Sequence, residues 1–289
     1  IMQRLNQSTM ESLATQSNMF VLSQALAPIQ PSSPRLFLNT FVAVFLGGLI
    51  ALAVVIGREM ADRRVRSVET LVRWSHPERG RIGPAEFIPL AEQCGLVVPL
   101  GEWILNQACA ATAAWPGIGV SVNLSPVQFG DDDLVRKVSE ALQRSGLPAH
   151  RLELEITEGV LLADSRRALE VLGALKQLGV KLAIDDFGTG YSSLSYLRNF
   201  PFDVIKVDRR FVRDLTTSDS SRPIVQAILA LGRAIGLSVT AEGVETQEQL
   251  DLLLEDGCDE VQGFLLAMPS SGLEITRLLA HQAAAQPAA

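Results

Sequence analysis

The chain has 289 residues, enough for one large domain or two small ones, and a net charge of −7. Its first 67 residues carry six arginines against three acids, which leaves −10 on the remainder; so acidic a body argues against nucleic acid polymers as partners. The three cysteines and three histidines are scattered, which argues against a disulfide framework, a zinc site and a Ser/His/Asp triad.

In chain order, the first element is a polar segment, 1–35, that ends in the proline-spaced stretch "APIQPSSPR". The run "LFLNTFVAVFLGGLIALAVVIG", Leu36–Gly57, carries no charge. At about 1.5 Å per residue it reaches roughly 33 Å, enough to cross a bilayer core. A buried helix is the alternative. A cleaved signal peptide fits poorly, because a long polar segment precedes the run and no small-residue cleavage pattern comes after it. Arg58, Arg63, Arg64 and Arg66 lie just after the run, against Arg35 before it, so the positive-inside rule places the C-terminal body in the cytoplasm. The expectation is a single-pass protein of the bacterial inner membrane, with a basic juxtamembrane helix over 58–67. With "REMADRRVRS" after the span, residues 1–67 resemble the C-terminal end of the chain-length determinant family, the polysaccharide co-polymerases of bacterial envelopes. That resemblance implies a periplasmic segment followed by a last membrane helix.

From Val68 the pattern changes. Short apolar runs at 66–73, 119–124, 151–156, 180–185, 202–207, 237–241 and 260–264 predict strands. Amphipathic stretches at 85–94, 99–115, 131–145, 165–178, 222–236 and 246–256 predict helices. Near-continuous apolar strands alternating with helices predict a parallel sheet covered on its faces. So many β/α units point to an α/β fold of the TIM-type (β/α) barrel kind, with a doubly wound open sheet as the alternative. A further helix and an Ala-rich tail are expected over 273–289.

Polar groups collect where these strands stop: Asn123, Glu155 and Glu158, Asp185 and Asp186, Lys206 and Asp208, Glu242 and Glu245, and Gln262. In a barrel, the C-terminal strand ends converge on one face. A single acid after a strand is usually a helix N-cap or a solvated turn; acids, amides and a lysine at six successive strand ends exceed what capping requires. Adjacent carboxylates such as Asp185–Asp186 repel and need a compensating charge. The set is hard oxygen without Cys or His, which selects Mg²⁺ or Mn²⁺ over zinc, and an Asp shared by two ions is a common way to build a two-metal hydrolytic site. Lys206, set inside the apolar run "DVIKVD", is expected to face inward.

The motifs "ETLVRWSHPERG", "FIPLAEQCGL", "SVNLSPVQF", "LELEITE", "IDDFGTGYSSLSYLRNFPFDVIKVD", "TAEGVET" and "VQGF" occur in that order. Over about Val68–Pro269, with the domain set at 68–272, the chain resembles the EAL domain, a cyclic di-GMP phosphodiesterase module. The namesake triplet reads Glu69-Thr70-Leu71, with Thr for Ala. The resemblance implies that Glu69, Asn123, Glu155 and Asp185 hold one metal. Asp185 and Asp186 reach a second, with Glu242 as ligand or base. Lys206 orients the attacking water, Leu71 and Arg73 contact the substrate, and Gln262 lies near the water. Glu158 braces the loop Asp186–Ser193, in which Gly188 and Thr189 sit, with Glu245 supporting it. The implied reaction opens cyclic di-GMP to linear pGpG.

The sequence also departs from that family just before the namesake triplet. "DRRVRS" runs directly into "VETLVRW", where the family has an antiparallel first strand. The expectation is a seven-stranded barrel with an open edge beside Glu69, filled by residues 58–66, left open, or closed by a second copy of the chain. Glu69 is then expected to be held less firmly than the other acids. Two further readings remain: an impaired domain that binds cyclic di-GMP without turnover, and a fusion remnant linked to envelope polysaccharide assembly.

Overall fold

The computed structural model describes residues 64–284 apart from 77, 164, 189–193 and 219. The expected segments 1–35 and Leu36–Gly57, residues 58–63, Thr189 and the tail from 285 lie outside the described residues. Among the described residues no helix is long and apolar enough to cross a membrane.

The elements run β1 (Ser67–Glu69), β2 (Trp74–His76), β3 (Gly80–Ile82), α1 (Pro84–Gln93), α2 (Val97–Ala113), β4 (Gly119–Leu124), α3 (Pro126–Phe129), α4 (Leu134–Ser145), β5 (Leu152–Thr157), α5 (Glu158–Ala163) and α6 (Ser165–Leu178). They continue with β6 (Lys181–Phe187), α7 (Leu194–Asn199), β7 (Val204–Val207), α8 (Arg209–Arg213), α9 (Ser221–Ile235), β8 (Ser238–Ala241), α10 (Gln247–Glu255), β9 (Glu260–Val261) and α11 (Gly272–Ala284). Seven strands form one sheet in the order β1-β4-β5-β6-β7-β8-β9, every pair parallel, while β2 and β3 make a separate hairpin. The sheet curls into an open, TIM-like half-barrel with β1 and β9 at its two edges.

Several expected boundaries move. The first strand covers Ser67–Glu69 rather than 66–73, because the chain leaves the sheet after Thr70 and returns as the hairpin. The last strand is Glu260–Val261 rather than 260–264. The basic helix expected over 58–67 is absent from its described part, 64–67: Arg66 O accepts from Gly119 N at 2.8 Å and starts the β1–β4 ladder instead.

The strands are not apolar on both faces. In β5, Leu152, Leu154 and Ile156 are fully buried against the helical layer, where Leu172 and Leu175 of α6 are also fully buried. Glu153, Glu155 and Thr157 alternate with them and face inward, as a pleat of period two requires. The apolar core therefore lies between sheet and helices, at about 1.5–3 kcal/mol for each large side chain fully buried. The concave side is lined by polar groups: Ser121 and Glu155 in neighbouring strands, and Lys206 opposite Thr240.

Long-range polar contacts fasten the helices. Arg151 donates to the carbonyls of Thr112, Trp115 and Ile118, the last two just past the end of α2. Thr246 and Gln249 form a reciprocal capping box at the start of α10. Its C-cap, Asp256, accepts from Arg222 at 2.9 and 3.0 Å and from Gln226 at 2.8 Å, which ties α10 to α9. Arg222 holds the Asp256 carboxyl below its ordinary pKa. A depressed folded-state pKa contributes stability above the unfolded pKa and loses it as pH falls. Asp256→Asn should therefore lower the melting temperature near neutral pH, and its difference from the parent should shrink as pH falls below about 4. Thermal melts across that range check this; a pH-independent difference would refute the pairing.

Candidate active site

The expected residues come from the strand ends on one side of the half-barrel. At its centre is Lys206, 2% exposed. Its Nζ lies 2.6 Å from Glu155 Oε1, 2.5 Å from Glu242 Oε1 and 3.9 Å from Asp185 Oδ1. Register accounts for the convergence, since Glu155 pairs Asn123 and Ala183 while Thr157 pairs Asp185. The inward orientation expected for Lys206 is what the fold shows.

The site carries more negative than positive charge. Burial pushes the Glu155 carboxyl up, Lys206 opposes this, and Glu69 and Asp185 reinforce it. Burial also raises Glu242, to about 7, against Lys206 and with help from Asp185. Burial alone would lower the Lys206 pKa, but the surrounding carboxylates outweigh it and raise it, so the ammonium stays charged. Both carboxylate oxygens of Glu155 are buried without an aligned hydrogen-bond donor.

Glu69 is not the loosely held group expected of an edge strand. Asn123 Nδ2 donates to its Oε1 at 2.9 Å, and Gln262 Nε2 donates to its Oε2 at 2.5 Å. Side-chain amides from β4 and from the exit of β9 hold it from two sides and bridge the edges that the backbone leaves unpaired. Gln262 thus belongs to the site through Glu69.

The Asp185–Asp186 pair is accommodated by geometry as well as by charge. The β6–β7 register shifts between Ile184 and Phe187, and Asp186 is the one described non-glycine residue with positive φ, 54°. Its amide donates to Asp185 Oδ1 at 2.9 Å, and its side chain shares a hydrogen bond with Asp208. Burial, then the Asp208 bond and Asp185, raise the Asp186 carboxyl to about 6. Asp208 is a member of the site that the sequence marked only as a strand-end acid; its signal was its place two residues after the inward Lys206.

The remaining residues divide. Glu158 accepts from Gly188 N at 2.9 Å, consistent with bracing the start of the loop. Gly188 has φ 94° and packs on Phe211, so a side chain fits neither its backbone nor its space. Glu245 is exposed, with its amide donated to Gln249 Oε1. Leu71 is exposed, and Arg73, also exposed, donates from Nη1 to Val72 O at 2.8 Å.

Among the described residues no three Asp, Glu, His or Cys groups stand at ion-binding spacing. The donor set nevertheless fits a hard divalent cation: all its ligand atoms are oxygen, negative charge is in excess, and the buried Glu155 oxygens have the Lys206 ammonium beside them but no aligned hydrogen bond.

An open parallel α/β half-barrel with acids, amides and a buried lysine at its strand ends defines a barrel-type enzyme scaffold with a carboxylate-rich mouth. The chain belongs to the EAL domain family, which it matches over residues 57–269. Among its relatives is the bifunctional diguanylate cyclase/cyclic di-GMP phosphodiesterase MucR of Pseudomonas aeruginosa, 45% identical over 207 residues, 70% of this chain and 30% of MucR. The cyclic di-GMP phosphodiesterase PdeR of Escherichia coli is 42% identical over 217 residues, 74% of this chain and 33% of PdeR. The solved structure of the PaMucR phosphodiesterase in its c-di-GMP complex aligns with a TM-score of 0.72 at 42% identity, covering 74% of this chain and 89% of that one. The chain spans about a third or less of the length of these two curated relatives.

Removing the buried ammonium would strand its acid partners. Lys206→Met should destabilise the domain by roughly 3–5 kcal/mol at neutral pH, the cost of leaving buried charge uncompensated. Urea unfolding measures this; an unchanged midpoint would show that the acids are not ionised around Lys206.

Proposed function

We propose that the chain is a membrane-anchored cyclic di-GMP phosphodiesterase that opens its substrate to linear pGpG with two Mg²⁺ or Mn²⁺ ions. The observation that carries this reading is the acid cluster on Lys206, in a chain whose relatives include proteins named cyclic di-GMP phosphodiesterases. Glu69, Asn123, Glu155 and Asp185 would hold one ion, and Asp185 and Asp186 the other, with Glu242 as a further ligand or as the base. When bound, the ions would polarise the phosphodiester and acidify water. The charged Nζ of Lys206 offsets charge at the phosphate. If it serves as base in place of ligand, Glu242, whose carboxyl is raised by burial, would take the proton from the attacking water. Leu71 and Arg73, at the surface near the start of the domain, are the candidates for substrate contact, with the Arg73 guanidinium at a phosphate. For the anchor, the support is the uncharged run Leu36–Gly57 and the arginine asymmetry around it, which puts the catalytic domain on the cytoplasmic side of a bacterial inner membrane.

The test is incubation of the full chain in detergent with cyclic di-GMP and Mg²⁺ or Mn²⁺, followed by chromatography. Linear pGpG is expected, and its absence with both ions would overturn the reading. Asp185→Asn should weaken Mn²⁺ binding by at least about 100-fold in calorimetry and remove most of the activity. Ca²⁺ should bind yet support little turnover, because it accepts larger, irregular coordination shells. For topology, a cysteine placed at Ser8 should react with an impermeant thiol reagent in spheroplasts; labelling only after lysis would reverse the orientation.

A further inference from the structure

Two parts of the site, the Asp185–Asp186 pair near the end of β6 and Glu242 just after β8, are both reached from the start of the short helix α8. Three consecutive residues at its start each contact a different part of the site. Arg210 donates from both its backbone N and its Nε to Asp208 Oδ1, at 2.7 and 2.9 Å. Asp208 is 6% exposed and shares a hydrogen bond with Asp186. Phe211 fills the space beside Gly188, where an added Cβ would come within 2.9 Å of the ring. Arg209 packs against Gly243, next to Glu242; that glycine has φ 71°, and a Cβ there would lie 2.6 Å from Arg209 Cβ. Neither glycine leaves slack, so movement of α8 displaces both parts of the site.

We propose that Arg209, Arg210 and Phe211 are positioning residues, a wedge that sets the separation between the Asp185–Asp186 carboxylates and Glu242. None of the three touches the reacting atoms. Arg210 acts through Asp208 on Asp186, Phe211 through Gly188, and Arg209 through Gly243 on Glu242. The proposal rests on reading Asp186 and Glu242 as site residues, but its test does not depend on the reaction.

The experiment is hydrogen–deuterium exchange on the full chain in detergent without added metal. Phe211→Ala should speed exchange of the Asp185–Gly188 segment by about tenfold or more, and Phe211→Leu, which keeps an apolar filler, should restore most of the protection. Arg210 is largely exposed, so Arg210→Ala should preserve the fold; it should speed exchange at Asp186 and lower kcat for cyclic di-GMP with KM unchanged. Gly243→Ala is the decisive variant, because its added Cβ meets Arg209 on the far side of α8 from Asp186. Faster exchange spreading to Asp185–Gly188 supports the wedge, whereas an effect confined to 242–245 overturns it. Parent-like exchange at 185–188 in both Phe211→Ala and Arg210→Ala also overturns it. If the parent chain forms no pGpG, the phosphodiesterase reading fails, while the exchange comparison still judges the wedge.

Discussion

The buried ammonium of Lys206, within ion-pair reach of Glu155, Glu242 and Asp185, is the interaction on which the rest of the structure depends. Taking a charge out of water costs several kcal/mol, and only close partners repay it. With one cation among several acids, the pairing is incomplete: Glu155 and Glu242 are both pushed toward protonation. The arrangement is therefore poised to take up further positive charge, as a proton or as a cation. A site built only for stability would have matched its charges or replaced them with apolar side chains.

That demand shapes the fold around it. A parallel barrel ordinarily fills its interior with branched apolar side chains. Here the concave file carries carboxylates and hydroxyls, so apolar burial shifts to the layer between sheet and helices, where Leu152, Leu154, Ile156, Leu172 and Leu175 are fully enclosed. The open edges are handled in the same polar terms. Glu69, on the edge strand, is gripped by Asn123 and Gln262, so the bridge between β1 and the exit of β9 is made by side chains that also belong to the site. Stability of the seam and geometry of the site are thereby coupled.

Much of this was legible in the linear chain. The run "LELEIT" carries its apolar and acidic files at period two, the double Asp closes β6, and a lysine interrupts the apolar run of β7. Local signals of this kind survive because strand period and helix capping depend on neighbours a few residues away. In other strands the alternation is weaker, as in "VIKV" of β7, where a single lysine marks the inward file, so the polar concave face emerges only with the pairing. The hairpin Trp74–Ile82 was hidden because its strands are three residues each.

The sequence by itself determined the α/β class, the order of the seven sheet strands and the acids at the strand ends, since each follows from residue type and local spacing. The tertiary structure decided which groups meet. Gln262 reaches Glu69 across 193 positions of chain, Lys206 finds Glu155 through the order of three neighbouring strands, and Asp186 turns toward Asp208 because a register shift gives it a left-handed backbone. Those facts arise from register, sheet curvature and contacts between distant segments, and no local window of sequence carries them.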